Sequence, residues 1–400
     1  MAEALRGDVT RFEIVELDME ALVQGLETGT IVLPLADPEN QIVELELPAQ
    51  QVQLRADGLV EGALRTGAEE VDRVALPPEQ NYRIGQCVRT REQFSGCGSL
   101  TILDEGRTMV GGILVHERLG LTFFEPVDMI IGGRQNPGLH IIYNVTGTEV
   151  TEFGEGEEPE VVGLGPADMS RPIPARLASL SAETAFKETS IVLDGDVEFY
   201  EIDKSTVWSR QEEVFNTVSV VYGFLEPLSA ESPNNSNWGL DLEIKGQEVW
   251  VSGGPTTTDG DDLIAEITDP NYFLLNPVAD TEVHYLFVGY NVAGLYGKAA
   301  GIGNSSGFGS GAGKNHAFGE GRSGQSLKTR WIVMAHEVGH LLGGTHGDGV
   351  TDGCTTFIIW DICGISIMPG GGAGGPTTRA PFFSDANDGN IAGVLNSVLP

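Results

Sequence analysis

"MAHEVGHLLGGTH", residues 334–346, gathers three of the chain's seven histidines within eleven residues, with Glu337 directly after the first. His336 and His340 are four apart, so on an α-helix they share one face, about one turn from each other. Two imidazoles placed in that way can reach one zinc ion at about 2.0–2.1 Å each. Glu337 is one residue round from His336, beside such an ion, where it can hold a water and take its proton. Gly343 and Gly344 tolerate the left-handed backbone that ends a helix, so the chain can turn there and bring His346 back as a third ligand. Three neutral nitrogens leave one tetrahedral position for water, the arrangement of a catalytic zinc rather than a closed structural one. The full pattern H-E-x-x-H-x-x-G-x-x-H is far more specific than H-E-x-x-H alone.

The rest of the chain sets bounds. Its 400 residues exceed what one core normally organises, which predicts two domains. With 40% hydrophobic and 20% charged residues, the composition is that of a soluble globular protein. The 23 Lys and Arg against 58 Asp and Glu give a formal charge of −35. That balance argues against nucleic acid and anionic membrane surfaces as partners, because both would be repelled. No run of 18 apolar residues occurs, so no membrane span is expected. Calcium binding would suit the acidity, but no stretch matches the D-x-[DN]-x-[DN]-G loop, so Ca2+ stays unsupported. Four cysteines allow three connectivities. Two local bridges, Cys87–Cys97 and Cys354–Cys363, are the simplest and imply an oxidising, extracellular compartment. Four reduced cysteines packed as small hydrophobes are the alternative. The start, "MAEALRGDVTRFEI", lacks the basic and apolar regions of a signal peptide, so the protein either is not exported or has lost its signal.

Residues 1–150 read as β-rich. "RFEIVEL", "TIVLPLA", "QIVELELP" and "QVQLRA" are short alternating or β-branched segments divided by Gly, Pro, Asp and Asn. "DMEALVQGL" is the one helical stretch there. Residues 151–184 are acidic, rich in Gly and Pro and without period, which predicts a linker. From 185 the pattern alternates strand and helix. Val207, Val214, Val218, Val221 and Leu225 predict a helix over 205–225 with Ser205 as N-cap, and "LKTRWIVMAHEVGHLL" predicts another.

With its ligands in place, 336–346 resembles the zinc-binding consensus of the metzincin metalloproteases, with Glu337 as general base. That family has a methionine-bearing turn beneath the zinc, and "CGISIMPGG" (363–371) provides one in Met368. The closest resemblance is to the adamalysin, or reprolysin, branch. "LEIKGQEVWVS" is similar to that branch's second strand, "HYLFVGYNVAGLYGKAAGIG" (284–303) to its third and edge strands, and "FFSDAN" (382–387) to the start of its C-terminal helix. The chain departs from the branch at Gly347, where Asp would follow the third histidine. Gly370 stands where astacins and serralysins carry a tyrosine ligand.

The resemblance implies an α+β fold for 185–400: a metzincin-type catalytic domain with a mixed, mostly parallel twisted sheet and an active-site helix, preceded by the β-rich N-terminal domain. It implies a secreted zinc endopeptidase holding one catalytic Zn2+. Its protein or peptide substrate would lie extended along an edge strand near Gly297, Ala299, Gly301 and Gly303. Residues 99–127 resemble the central motif of adamalysin propeptides, which implies a latent proenzyme whose N-terminal domain is an intramolecular inhibitor. Cys87 or Cys97 could then ligate the zinc, unless a Cys87–Cys97 bridge forbids it. The competing reading is a binding or adhesion module on a metalloprotease scaffold.

Overall fold

The computed structural model describes residues 12–37, 41–67, 70–88, 95–104, 106–117, 119–131, 138–145, 185–225, 238–269, 272, 279–293, 295–310, 313–322, 325–345, 354–357, 360–363, 367–368, 383 and 385–399. The expected linker at 151–184 and the candidate ligand His346 lie outside them.

The N-terminal region carries strands β1 (Glu13–Glu16), β2 (Thr30–Ala36), β3 (Ile42–Val52), β4 (Glu61–Thr66), β5 (Glu70–Ala75), β6 (Asn81–Gly85), β7 (Gly96–Ile102), β8 (Val110–His116), β9 (Gly120–Pro126) and β10 (Leu139–Val145). Two helices interrupt them, α1 (Met19–Thr28) and α2 (Val127–Ile131). The C-terminal region carries β11 (Ala185–Gly195), β12 (Trp238–Ser252), β13 (Val283–Val288), β14 (Gly297–Ala299), β15 (His316–Glu320), β16 (Cys354–Phe357) and β17 (Trp360–Cys363). Its helices are α3 (Val197–Asp203), α4 (Val207–Val220), α5 (Gly260–Ile267), α6 (Leu327–Leu341) and α7 (Asp385–Val398).

Eight strands form one wholly antiparallel sheet in the order β1-β10-β9-β8-β7-β6-β3-β2. The sheet curls until β2 lies against β9 and β10, and Thr122 Oγ1 donates to Ala36 O across the closing gap at 3.0 Å. The second sheet runs β14-β15-β13-β11-β12-β4-β5. Its middle strands pair in parallel, and antiparallel β14 and β5 form its two ends.

This corrects the expected fold class. The chain is mostly β, with 42% strand and 30% helix among the described residues. Its largest sheet is antiparallel and nearly closed into a barrel, not the mostly parallel sheet of a metzincin-type α+β fold. The sheet that does hold parallel strands is completed by β4 and β5 from the N-terminal region.

The physical reason is visible in β7, β8 and β9, which are buried along almost their whole length. Side chains alternate between the faces of a strand. Leu100, Ile102, Val110, Leu114 and Phe124 point into the barrel with Leu22 and Leu26 of α1. Cys97, Ile113, Val115, Leu121 and Phe123 point the other way and share a core with Val214 and Val218 of α4 and Trp331 of α6. Each such buried side chain contributes about 1.5–3 kcal/mol. The N-terminal sheet is therefore one wall of the C-terminal core.

The expected helix over 205–225 is present with a later start. A 3₁₀ turn, Lys204–Thr206, leads into α4, Thr206 sits at its N-cap without a side-chain bond, and a π turn, Val221–Leu225, follows it. Cys87 and Cys97 form a disulfide. The backbone register sets Cys354 opposite Cys363 in the β16–β17 hairpin; their side chains lie outside the described set. Among the described residues, no helix is long and apolar enough to cross a membrane.

Candidate metal centre

Helix α6 carries the site. Leu, Lys, Arg, Met, Ala and Glu favour helix along its length, Ser326 Oγ accepts the Thr329 N–H at its start, and all but His336 of its residues are buried. His336, Glu337 and His340 each offer one ligand atom, and these atoms lie within 4.8 Å of one another. The two imidazole rings stand 4.8 Å apart, nearly perpendicular at 87°.

Each imidazole is held from behind by a carbonyl. His336 Nδ1 lies 2.8 Å from Ile367 O, and His340 Nδ1 lies 2.9 Å from Gly344 O. A carbonyl only accepts, so both Nδ1 atoms carry the proton and both Nε2 atoms keep a lone pair. Two such nitrogens one turn apart on a helix are donors that zinc takes, with the Glu337 carboxylate beside them, so the residues present fit the ion. His336 is half-buried, while Glu337 and His340 are buried, so the set faces outward at His336.

The end of α6 is shaped by close packing. Gly343 takes a left-handed backbone, φ 109°, and donates to His340 O at 2.9 Å. Gly344 donates to Gly339 O at 2.8 Å. Met368 is fully buried beneath this turn. A Cβ on Gly339 would stand 3.1 Å from Met368 Sδ and 2.6 Å from the Phe383 ring, so glycine lets the floor approach the helix. Tyr222, from the π turn after α4, donates its hydroxyl to Ala335 O at 2.6 Å. Asn387 of α7 then clamps Thr345: Thr345 N–H donates to Asn387 Oδ1 at 2.8 Å, and Asn387 Nδ2 donates to Thr345 O at 3.2 Å. The backbone is thus fixed up to the residue before His346.

The candidate edge strand lies over the site. Gly297 of β14 is so close to α6 that a Cβ there would meet Val333 Cγ1 at 2.7 Å and Glu337 Cγ at 2.9 Å. Ala299 ends β14, and Gly301 follows it half-buried. Gly303 instead sits under the helix end, with its N–H donated to His340 O at 2.9 Å.

Sequence reasoning placed His336, Glu337, His340 and Met368, which the structure brings together. It missed Gly339, Tyr222, Phe383 and Asn387. "FFSDAN" marked the start of a helix, but no local signal tied Asn387 to Thr345. The disulfide joins the Cys87 and Cys97 sulfurs to each other, so neither is a thiolate for the zinc.

No protein-family model and no curated protein matches the chain. A solved structure described as "Structure of a chaperone-substrate complex" is similar over 54% of this chain and 35% of that chain, at 16% identity and a TM-score of 0.34. The chain spans about a third of that chain's length, and a likeness this slight carries no argument.

Proposed function

We propose that the chain is a zinc-dependent endopeptidase acting on protein substrates bound in extended form. The observation that carries this reading is the His336–Glu337–His340 set, with both imidazoles locked by backbone carbonyls so that their Nε2 atoms are the donors. The likeness of 336–346 and 363–370 to the metzincin motifs supports it, with His346 as third ligand. The Cys87–Cys97 disulfide supports an oxidising, extracellular setting.

When bound, zinc supplies Lewis acidity, polarising a carbonyl and lowering the pKa of a water towards 7. Glu337 is the general base: it takes the proton of the attacking water and returns it to the amine that leaves. Gly297 packs closely against the stem of the buried Glu337. The outer edge of β14 offers its backbone groups to a substrate strand, since β14 ends its sheet. That pairing stops before Gly303, whose N–H is bound to His340 O.

The test is zinc content and casein digestion by the full chain, before and after a cut within 146–184. Glu337→Ala is expected to keep its zinc and lose at least about 100-fold in cleavage. Full activity in that variant would overturn the mechanism. Zinc uptake by the wild type without digestion in either form would favour the binding-module reading.

A further inference from the structure

The start of α6 is held by the other half of the chain. Glu125 of β9 accepts the Leu327 N–H with both carboxylate oxygens, at 3.0 and 2.9 Å. The same carboxylate accepts the Tyr143 hydroxyl at 2.8 Å and lies 3.7 Å from the Arg330 guanidinium. All four side chains are buried. Phe123 stacks on Tyr143 at 5.2 Å and on Trp331 at 6.3 Å. A carboxylate at a helix N-terminus meets unpaired N–H groups and the positive end of the macrodipole. Away from water, such a carboxylate sets where the helix begins. His336 and His340 follow about 14 and 20 Å further along the axis, so a shift at Leu327 is carried along the rigid helix to both imidazoles. The N-terminal sheet meets α6 here, at the end opposite His340.

Other buried contacts join the same two regions. Asn81 Nδ2 donates to Glu212 Oε2 at 2.8 Å, and Arg55 Nε donates to Glu212 Oε1 at 2.7 Å. Arg83 reaches Ser219 Oγ at 2.8 Å. The guanidinium of Arg65, from β4, lies 3.9 Å over the Trp250 ring. Removing the N-terminal region would strip these partners from Glu212, Ser219 and Trp250 and bare the shared core.

We propose that the N-terminal sheet is a permanent part of the working protein and that Glu125 is a positioning residue for the metal centre. The sheet thus stands where the propeptide likeness implied a releasable inhibitor. The positioning role rests on the zinc reading; the permanence of the sheet does not.

Two experiments decide. First, a site-specific protease sequence is inserted after Gly163 in the full chain and cut. The two fragments are expected to co-elute at full-chain size and to separate only in denaturant. Release of the N-terminal fragment from a still-folded remainder would overturn the proposal. This arm needs no metal, so it reads the union of the two regions even if the chain takes up no zinc and the function above fails.

Second, Glu125→Leu and Glu125→Gln are compared with the wild type for zinc affinity by chelator competition, for the visible spectrum of the cobalt-substituted site, and for unfolding of the metal-free protein. Glu125→Leu is expected to weaken zinc about tenfold or more and to change the cobalt spectrum. Glu125→Gln, which keeps an acceptor for Leu327 N–H, recovers most of the loss. Lowered metal-free stability with unchanged zinc affinity and spectrum would show a merely structural role and overturn the positioning claim. Where Glu125→Leu does not fold, Tyr143→Phe removes one bond to the carboxylate. It is expected to weaken zinc about threefold, and an unchanged spectrum and affinity would count against the proposal.

Discussion

Gly297→Ala tests whether the edge strand and Glu337, the proposed general base, form one unit. Gly297 does not hold a left-handed backbone, so alanine adds only its methyl group. That methyl would fall 2.7 Å from Val333 Cγ1, 2.8 Å from Phe318 O and 2.9 Å from Glu337 Cγ. All three are closer than carbon tolerates. Phe318 O belongs to β15, which is fixed between β13 and β14, so it cannot retreat. Either β14 lifts or Val333 and Glu337 move. Overpacking of this kind costs about 1–3 kcal/mol, and the loss of glycine's unfolded-state freedom offsets about 0.4–1 kcal/mol. A net destabilisation of up to about 2.6 kcal/mol remains. A displacement near 1 Å at a catalytic carboxylate costs about 100-fold in rate, so kcat/KM is expected to fall about 10- to 100-fold. Zinc affinity should hold, because neither imidazole is touched. The assays are urea unfolding, chelator competition and peptide hydrolysis. Wild-type stability together with wild-type kcat/KM would refute the reasoning, since the methyl would then have room that the packing denies.

Further outcomes concern the ligand set and proton linkage. Asn387→Ala removes both partners of Thr345 and is expected to destabilise by about 2–4 kcal/mol. It should also weaken zinc, because Thr345 precedes His346; unchanged affinity in a chelator titration would break that link. Asp196 caps α3 and accepts from Phe199 N–H at 2.7 Å and Gly289 N–H at 3.0 Å, yet burial outweighs these bonds and pushes its carboxyl up to about 7. The folded state then holds a proton that the unfolded state has released. Its contribution is complete below about pH 4 and is lost as pH rises through 7. Relative to Asp196→Asn, the wild type should lose up to about 1.4 kcal/mol per pH unit within that window. Parallel urea stabilities at pH 5, 6 and 7 would show that Asp196 is ionised in the fold.

How much of the site was legible depends on the span of each interaction. His336, Glu337 and His340 are set by helical period within one turn, and Ser326 caps its own helix three residues away. Such contacts form wherever the local sequence forms a helix. Glu125 and Leu327 are 202 residues apart, and Asn387 and Thr345 are 42 apart. No local propensity couples such pairs; the order of strands in the sheets does. The β character of residues 1–150, which include β7, β8 and β9, was equally plain. Their unbroken apolar runs are compatible with a covered parallel sheet or with an antiparallel sheet covered on both faces, and the second holds here because α4 and α6 pack on one side and α1 with the barrel strands on the other.

The sequence alone therefore determined the spacing that puts His336, Glu337 and His340 together on one helix, and the β character of the N-terminal region, because each follows from periodicity within a few residues. Only the tertiary structure decided that the larger sheet is antiparallel and nearly closed, that β4 and β5 complete the parallel sheet, and that Glu125 accepts the first N–H of α6. Those outcomes depend on which distant apolar faces bury one another, and a face that must be covered does not name its cover.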